Sequence, residues 1–267
     1  MNILVLSLIS LGLYTIGTLQ QTLIYLRKTR NKPFISLLIG GSAVCFHFFI
    51  AQNLIFSDNK LLLSFFNTAS LVACVIISGL LIFSARKPLQ SIFIFSYPIA
   101  AICLAGSLLS NNHTLSYQPE SSGIFIHIIL SVLAYSVLCI AAIQALLVYF
   151  QNNNLKKRNQ TILMRNLPPL LTMEKMLFEM LWSGTLLLTA AITTGLIFVE
   201  DFFAQHLVHK SVLSLIALII FATLLTGRQV YGWRGMLASK WTLWGFSFLV
   251  VGFFGSKFVM EQIFPNS

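Results

Sequence analysis

Charge is what this chain has least of. Only 9% of its 267 residues are Asp, Glu, Lys or Arg, against about 25% in ordinary soluble domains. So few charges cannot clothe a water-facing surface, so most side chains must face lipid or one another. Catalytic and ligand-binding signatures are missing too. There is no phosphate-cradling G-x-x-x-x-G-K-[ST], no G-x-S-x-G elbow and no H-E-x-x-H zinc pair, and these absences remove the corresponding chemistries. No loop between apolar runs exceeds about 25 residues, which leaves no room for a soluble catalytic domain. No nucleophile–base pair is suggested, so the chain is not expected to be an enzyme. Cys45, Cys74, Cys103 and Cys139 each lie inside an apolar run and none forms a C-x-x-C pair; they read as small apolar residues. The first run has no preceding basic residue and no A-x-A site closing it, so it reads as a mature helix instead of a signal peptide.

What the chain has is apolar length. Hydrophobic residues make up 57%, Phe alone numbers 23, and mean hydropathy is +0.85. Apolar runs fall near 3–26, 34–56, 61–84, 89–109, 124–150, 176–199, 211–227 and 241–263. A helix crosses the hydrocarbon in roughly 20 residues. The runs therefore predict an all-α integral membrane fold, a bundle of about eight transmembrane helices forming one polytopic domain over 1–267. Its partners are the bilayer itself and other membrane proteins.

The net charge of +10 does not point to nucleic acid, because the basic residues form small clusters and no continuous stripe tracks a phosphate backbone. They act as topology signals. The loops after the first, third, fifth and seventh runs hold Arg27, Lys28, Arg30, Lys32, Arg86, Lys87, Lys156, Lys157, Arg158, Arg165, Arg228, Arg234 and Lys240, thirteen of seventeen basic residues. Lys175 joins them. Lys60, Lys210 and Lys257 lie on the other side, with Asp58, Glu120, Glu200, Asp201 and Glu261. By the positive-inside rule the basic side is cytoplasmic, and both termini are expected outside, in the periplasm of a bacterial inner membrane protein.

Polar residues in the spans are the places to look for function. Asn67, Gln52, Gln144 and Gln262 suit hydrogen bonds between helices. The segment 165–182 is amphipathic: Pro168 and Pro169 break the chain, Thr172 is placed to cap a new helix, and Glu174 falls in its first turn. An interfacial, structural entry into the next span is expected there. Trp233, Trp241 and Trp244 suit interfacial anchoring.

Five histidines remain: His47, His113, His127, His206 and His209. His113 and His206 read as solvated. His127 stands about one turn into the fifth run, roughly 5 Å below the outer surface by helical rise. His209 stands at the outer entrance of the seventh run, and His47 in the outer half of the second. Topology thus assigns all three to one leaflet. Two neutral imidazoles on separate elements can supply the axial ligands of a haem. The other reading of each is a helix cap or a bond to a neighbouring carbonyl.

The chain also resembles the integral-membrane cytochrome c assembly family, and within it a YpjD-like inner membrane branch. The stretches carrying the resemblance run from S-F-F-N-T-A-S-L at 64–71 and A-R-K-P-L at 85–89 through the His127 helix to L-P-P-L-L-T-M-E-K-M-L-F at 167–178. T-L-L-L-T-A-A-I-T-T-G at 185–195, G-R-Q-V-Y-G-W-R-G-M-L-A-S-K-W-T-L-W-G-F at 227–246 and F-F-G-S-K-F-V-M-E at 253–261 complete it. It is strongest over 60–263. The resemblance implies a haem-handling membrane protein related to cytochrome c assembly, with His127 matching the family's first external histidine and Asp201 falling near the aspartate of its external W-D-P-K-E motif. The chain departs from the family at that motif, reading E-D-F-F-A-Q-H-L-V-H-K. It departs again in the last run, which has G-S-K-F-V-M-E where the family carries its second external histidine. In this branch His209 is read as its replacement, and the resemblance then implies His127, His209 and Asp201 as the haem-binding set. The alternative is a non-haem accessory or regulatory subunit of a transporter or assembly complex.

Overall fold

The computed structural model describes residues 3–26, 28–29, 33–57, 60–62, 64–84, 92–109, 116–117, 122–156, 167–198 and 205–258. Among the described residues eight helices carry the fold: α1 (Ile3–Tyr25), α2 (Pro33–Ile55), α3 (Phe65–Ser84), α4 (Phe93–Leu109), α5 (Ser122–Lys156), α6 (Leu170–Phe198), α7 (Gln205–Tyr231) and α8 (Gly235–Val250). The last runs on through a π-turn, Val251–Gly255, into Ser256–Phe258. Seven of these are long and apolar enough to cross a membrane, and α4 is the shorter eighth. The apolar runs therefore become a multi-pass helical bundle, as expected. At 1.5 Å per residue α4 is about 25 Å long, just under the ~30 Å of a hydrocarbon core. Only 28% to 44% of each span is buried inside the protein. The outward faces carry Leu8, Leu19, Ile82, Ile102, Leu186 and Ile197, and lipid is what such faces meet.

Contacts group the chain into two compact units, Met1–Gln118 and Pro119–Ser267. In the first, α1 packs on α2, α2 on α3, α3 on α4 and α4 back on α1. A small antiparallel sheet of β1 (Phe56–Ser57), β2 (Lys60–Leu62) and β3 (Ser116–Tyr117) adjoins them, in that order. Asn67 ties helix to sheet: its Nδ2 donates to Leu62 O at 3.0 Å. The core of this unit is partly aromatic. Tyr97 stacks on Phe93 with centroids 4.8 Å apart and lies 5.6 Å from the Tyr14 ring. It fits because α1 and α2 present Gly17 and Gly40 to it. A Cβ on Gly17 would meet the Tyr97 ring at 2.8 Å, and one on Gly40 would run into the Tyr97 hydroxyl and Leu81.

Among the described residues that buried hydroxyl has no hydrogen-bond partner, which yields a prediction. Gly40→Ala is expected to destabilise by about 1–3 kcal/mol through overpacking. Tyr97→Phe removes an unpaired polar group, so it is expected to be neutral or stabilising by up to about 1 kcal/mol, and to restore part of the Gly40→Ala loss. Thermal unfolding in detergent reads both. An identical loss in the single and double variants would show that the phenol is not the obstacle.

In the second unit α5 packs on α6 and α8, and α7 on α6 and α8. The entry to α6 differs from the sequence reading. Gln151 Nε2 donates to Pro168 O at 3.0 Å, and Pro169 O accepts from the amides of Thr172 and Met173 at 2.9 and 3.1 Å. Bonding thus starts the helix at Leu170, and Thr172 is an exposed residue of its first turn instead of its cap. The entry segment is continuous with the span, α6 running unbroken from Leu170 to Phe198, and its Met173, Glu174, Met176, Leu177 and Phe178 are buried. Gln144 Nε2 donates to Met173 O at 3.1 Å, bonding α5 to α6. Between α7 and α8 the chain turns on Gly232 and Gly235, at φ +66° and +61°, a region that β-carbon-bearing residues rarely enter.

Candidate functional site

His127 lies near the start of α5, half-buried. Its Nδ1 is 2.7 Å from the backbone carbonyl of Ala191 on α6. A carbonyl oxygen only accepts, so Nδ1 carries the proton and donates. In the neutral ring that leaves the lone pair on Nε2. Among the described residues no hydrogen bond engages Nε2. Thr194 Oγ1, which donates to Ala190 O and Ala191 O at 2.8 and 2.9 Å, is 3.5 Å from the same Nδ1 and is a far more distant acceptor for its proton than the Ala191 carbonyl. One turn before His127, Gly123 is buried, and the ring of Phe198 on α6 fills the space where a side chain would stand. The two readings open to a histidine, carbonyl bond and metal ligand, are thus compatible in His127: one nitrogen is bonded and the other is left over.

Of the other expected haem-site residues, Asp201 lies outside the described residues. His209 is in the first turns of α7, its side chain outside them. The next residue on α7, Lys210, has its carbonyl 3.8 Å from where a Cβ on Gly252 of the π-turn would stand. The start of α7 therefore rests against that turn. Phe253 and Phe254 of the same turn lie 6.0 and 5.2 Å from the ring of Tyr135, which is two turns beyond His127 on α5. Single π-turns of this kind often mark functional places in helices. The side chain of His206, and all of His113 and Gln262, also fall outside the described residues.

His47 behaves differently. It is 0% exposed, its Nδ1 is 2.9 Å from the Tyr14 hydroxyl and its Nε2 is 2.8 Å from Ser70 Oγ. Both nitrogens are engaged, so the ring has none to offer a metal. The Ser70–His47 contact has the form of a nucleophile–base pair, and among the described residues both are buried in the first unit, at 1% and 0% exposure. The trio joins α1, α2 and α3 and acts as a polar clamp. Sequence reasoning missed it because nothing in the spacing of Tyr14, His47 and Ser70 says that they meet.

The opposite end of the second unit holds a cavity of about 660 Å³, lined by α5, α6 and α8. Glu174 lies on its wall, 4% exposed, with Asn152 and Arg234. The sequence reading put Glu174 in a first turn; because α6 starts at Leu170 it stands just beyond that turn, and nothing in the sequence signalled that the carboxylate is buried.

Residues 35–264 match the family model described as Cytochrome C assembly protein. The chain is 30% identical over 255 residues to the inner membrane protein YpjD of Escherichia coli strain K12, covering 96% of this chain and 95% of that one. The same figures hold for YpjD of Escherichia coli O157:H7. An Azospirillum brasilense protein, named as an uncharacterized 28.8 kDa protein in a nifR3-like 5' region, is 31% identical over 140 residues, 52% of each chain. No solved structure matches the chain.

Proposed function

The chain belongs to the cytochrome c assembly protein family, whose general role is haem handling, and on that premise we propose that it binds haem with His127 as an axial ligand. His209 supplies the second imidazole in this reading, and Asp201 shapes the rim. Its apolar helices and its relatives make it a multi-pass protein of the bacterial inner membrane. One observation carries the proposal: the Nδ1–H of His127 is spent on the Ala191 carbonyl. Metal-ligating histidines almost always donate their other ring N–H to a carbonyl, carboxylate or water, which fixes the tautomer and raises the basicity of the ligating nitrogen. His127 has that arrangement.

Bound haem would supply an iron able to change oxidation state, and His127 and His209 would be the residues that hold it. The chain does the rest. The α6 backbone holds the His127 ring so that it cannot rotate away. Thr194 keeps its hydroxyl on its own helix, and the apolar flank of Phe198 limits water at that end. By the charge pattern this end of α5 faces outward, so the ligand would be presented to the periplasm.

The segment E-D-F-F-A-Q-H-L-V-H-K, which carries no tryptophan, favours a second reading, that of a non-haem accessory subunit. One experiment separates them. Protein purified in mild detergent from haem-replete cells is expected to show a Soret band and about one haem per chain by pyridine haemochrome. A colourless protein that co-purifies with a stoichiometric membrane partner would establish the second reading.

A further inference from the structure

We propose that the cavity formed by α5, α6 and α8 binds the zwitterionic head group of an amine-bearing phospholipid, its ammonium on Glu174 and its phosphate between Arg234 and Asn152. This site is independent of the haem reading. Asn152 is 25 residues from His127, about 37 Å along α5.

Glu174 is the starting point. A carboxylate at the end of a membrane span and 4% exposed is costly unless it meets a positive charge or strong donors. Among the described residues it has no ion pair and no hydrogen bond. Its open side is the cavity, which at about 660 Å³ is in the range of small-ligand sites. The floor is kept clear by Gly235. A Cβ there would lie 3.4 Å from Glu174 Oε1 and 2.7 Å from Asn152 Nδ2, so any side chain would occupy the place where carboxylate and amide come together. Arg234, next to it, is exposed and gives no side-chain cap to α8; its guanidinium has no hydrogen-bond partner among the described residues.

Negative charge in the depth and positive charge at the mouth match one order of groups in a ligand. The ammonium enters first, the phosphate follows, and the acyl chains leave along an apolar exit. Leu171 and Leu237, 72% and 43% exposed, supply that exit beside the cavity. A primary ammonium donates three hydrogen bonds, which a carboxylate takes up well. A choline head donates none, and a glycerol head brings no cation to Glu174.

The test is native mass spectrometry of the full chain in detergent, with an equimolar mixture of phosphatidylethanolamine, phosphatidylcholine and phosphatidylglycerol. The ethanolamine lipid is expected to dominate the adducts by about tenfold. Glu174→Gln, nearly isosteric, is expected to abolish the preference for ethanolamine over choline. Arg234→Gln, at an exposed position, is expected to weaken all phospholipid adducts while keeping their order. Equal adducts on the wild-type protein, or a preference that survives Glu174→Gln in a monodisperse variant, would overturn the proposal. Water-soluble phosphoethanolamine provides the remaining arm. Displacement of the lipid by it at equal concentration would assign the site to a free metabolite, against the lipid proposed.

Discussion

Haem-replete His127→Ala protein is expected to keep less than about a tenth of the wild-type Soret absorbance, at unchanged protein yield. The expectation follows from how the ring is held. Ala191 O orients it through Nδ1, and no other described side chain near the start of α5 offers a neutral nitrogen. Free imidazole has the size of the space left by the side chain and can donate to the same carbonyl, so millimolar imidazole is expected to return part of the band. Thr194→Val is the control. Its hydroxyl donates to the α6 carbonyls and not to His127 Nε2, so haem content is expected to stay at the wild-type level. If His127→Ala lowers the melting temperature while leaving the Soret band intact, the ring is a structural pin and the ligand assignment is wrong.

His47→Leu is expected to give the opposite pattern: a stability loss of about 1–3 kcal/mol with no change in haem content. Hydrogen bonds between membrane helices average well under 1 kcal/mol each, so the lost bonds alone do not reach that figure. The larger share comes from the groups left behind. Tyr14 and Ser70 are both buried, and removing the imidazole strands two hydroxyls at once. Adding Tyr14→Phe and Ser70→Ala to His47→Leu is therefore expected to recover much of the loss, because an apolar trio of similar shape strands nothing. Thermal unfolding of the single and triple variants measures this coupling. A triple variant as unstable as the sum of its parts would show that the clamp is no unit.

How far these features were legible in the sequence depends on what determines each. The eight apolar runs became helices because span length and hydropathy are local properties. Their ends moved where a distant group intervened. The break at Pro168 and Pro169 was visible, but the start of α6 at Leu170 depends on Gln151 reaching across from α5, and no reading of residues 165–182 contains that bond. His127 was legible as a candidate from its depth near a helix start and from the family resemblance. Its partner was not, since the Ala191 carbonyl is backbone and has no residue type to betray it. His47 and His127 look alike in sequence, each a lone histidine in an apolar run. They separate only through their neighbours: two hydroxyls for one, a single carbonyl for the other.

Composition by itself determined that this chain lives in a membrane and spans it about eight times, since 9% charged residues can satisfy no other solvent. The tertiary structure alone decided which polar groups are spent and which are left over. A hydrogen bond between helices is a matter of rotation and register, set by packing such as Tyr97 against Gly17 and Gly40, and the one-dimensional pattern carries neither. For that reason, among the described residues, His47 is closed on both sides, His127 keeps one nitrogen without a partner, and Glu174 opens onto a cavity.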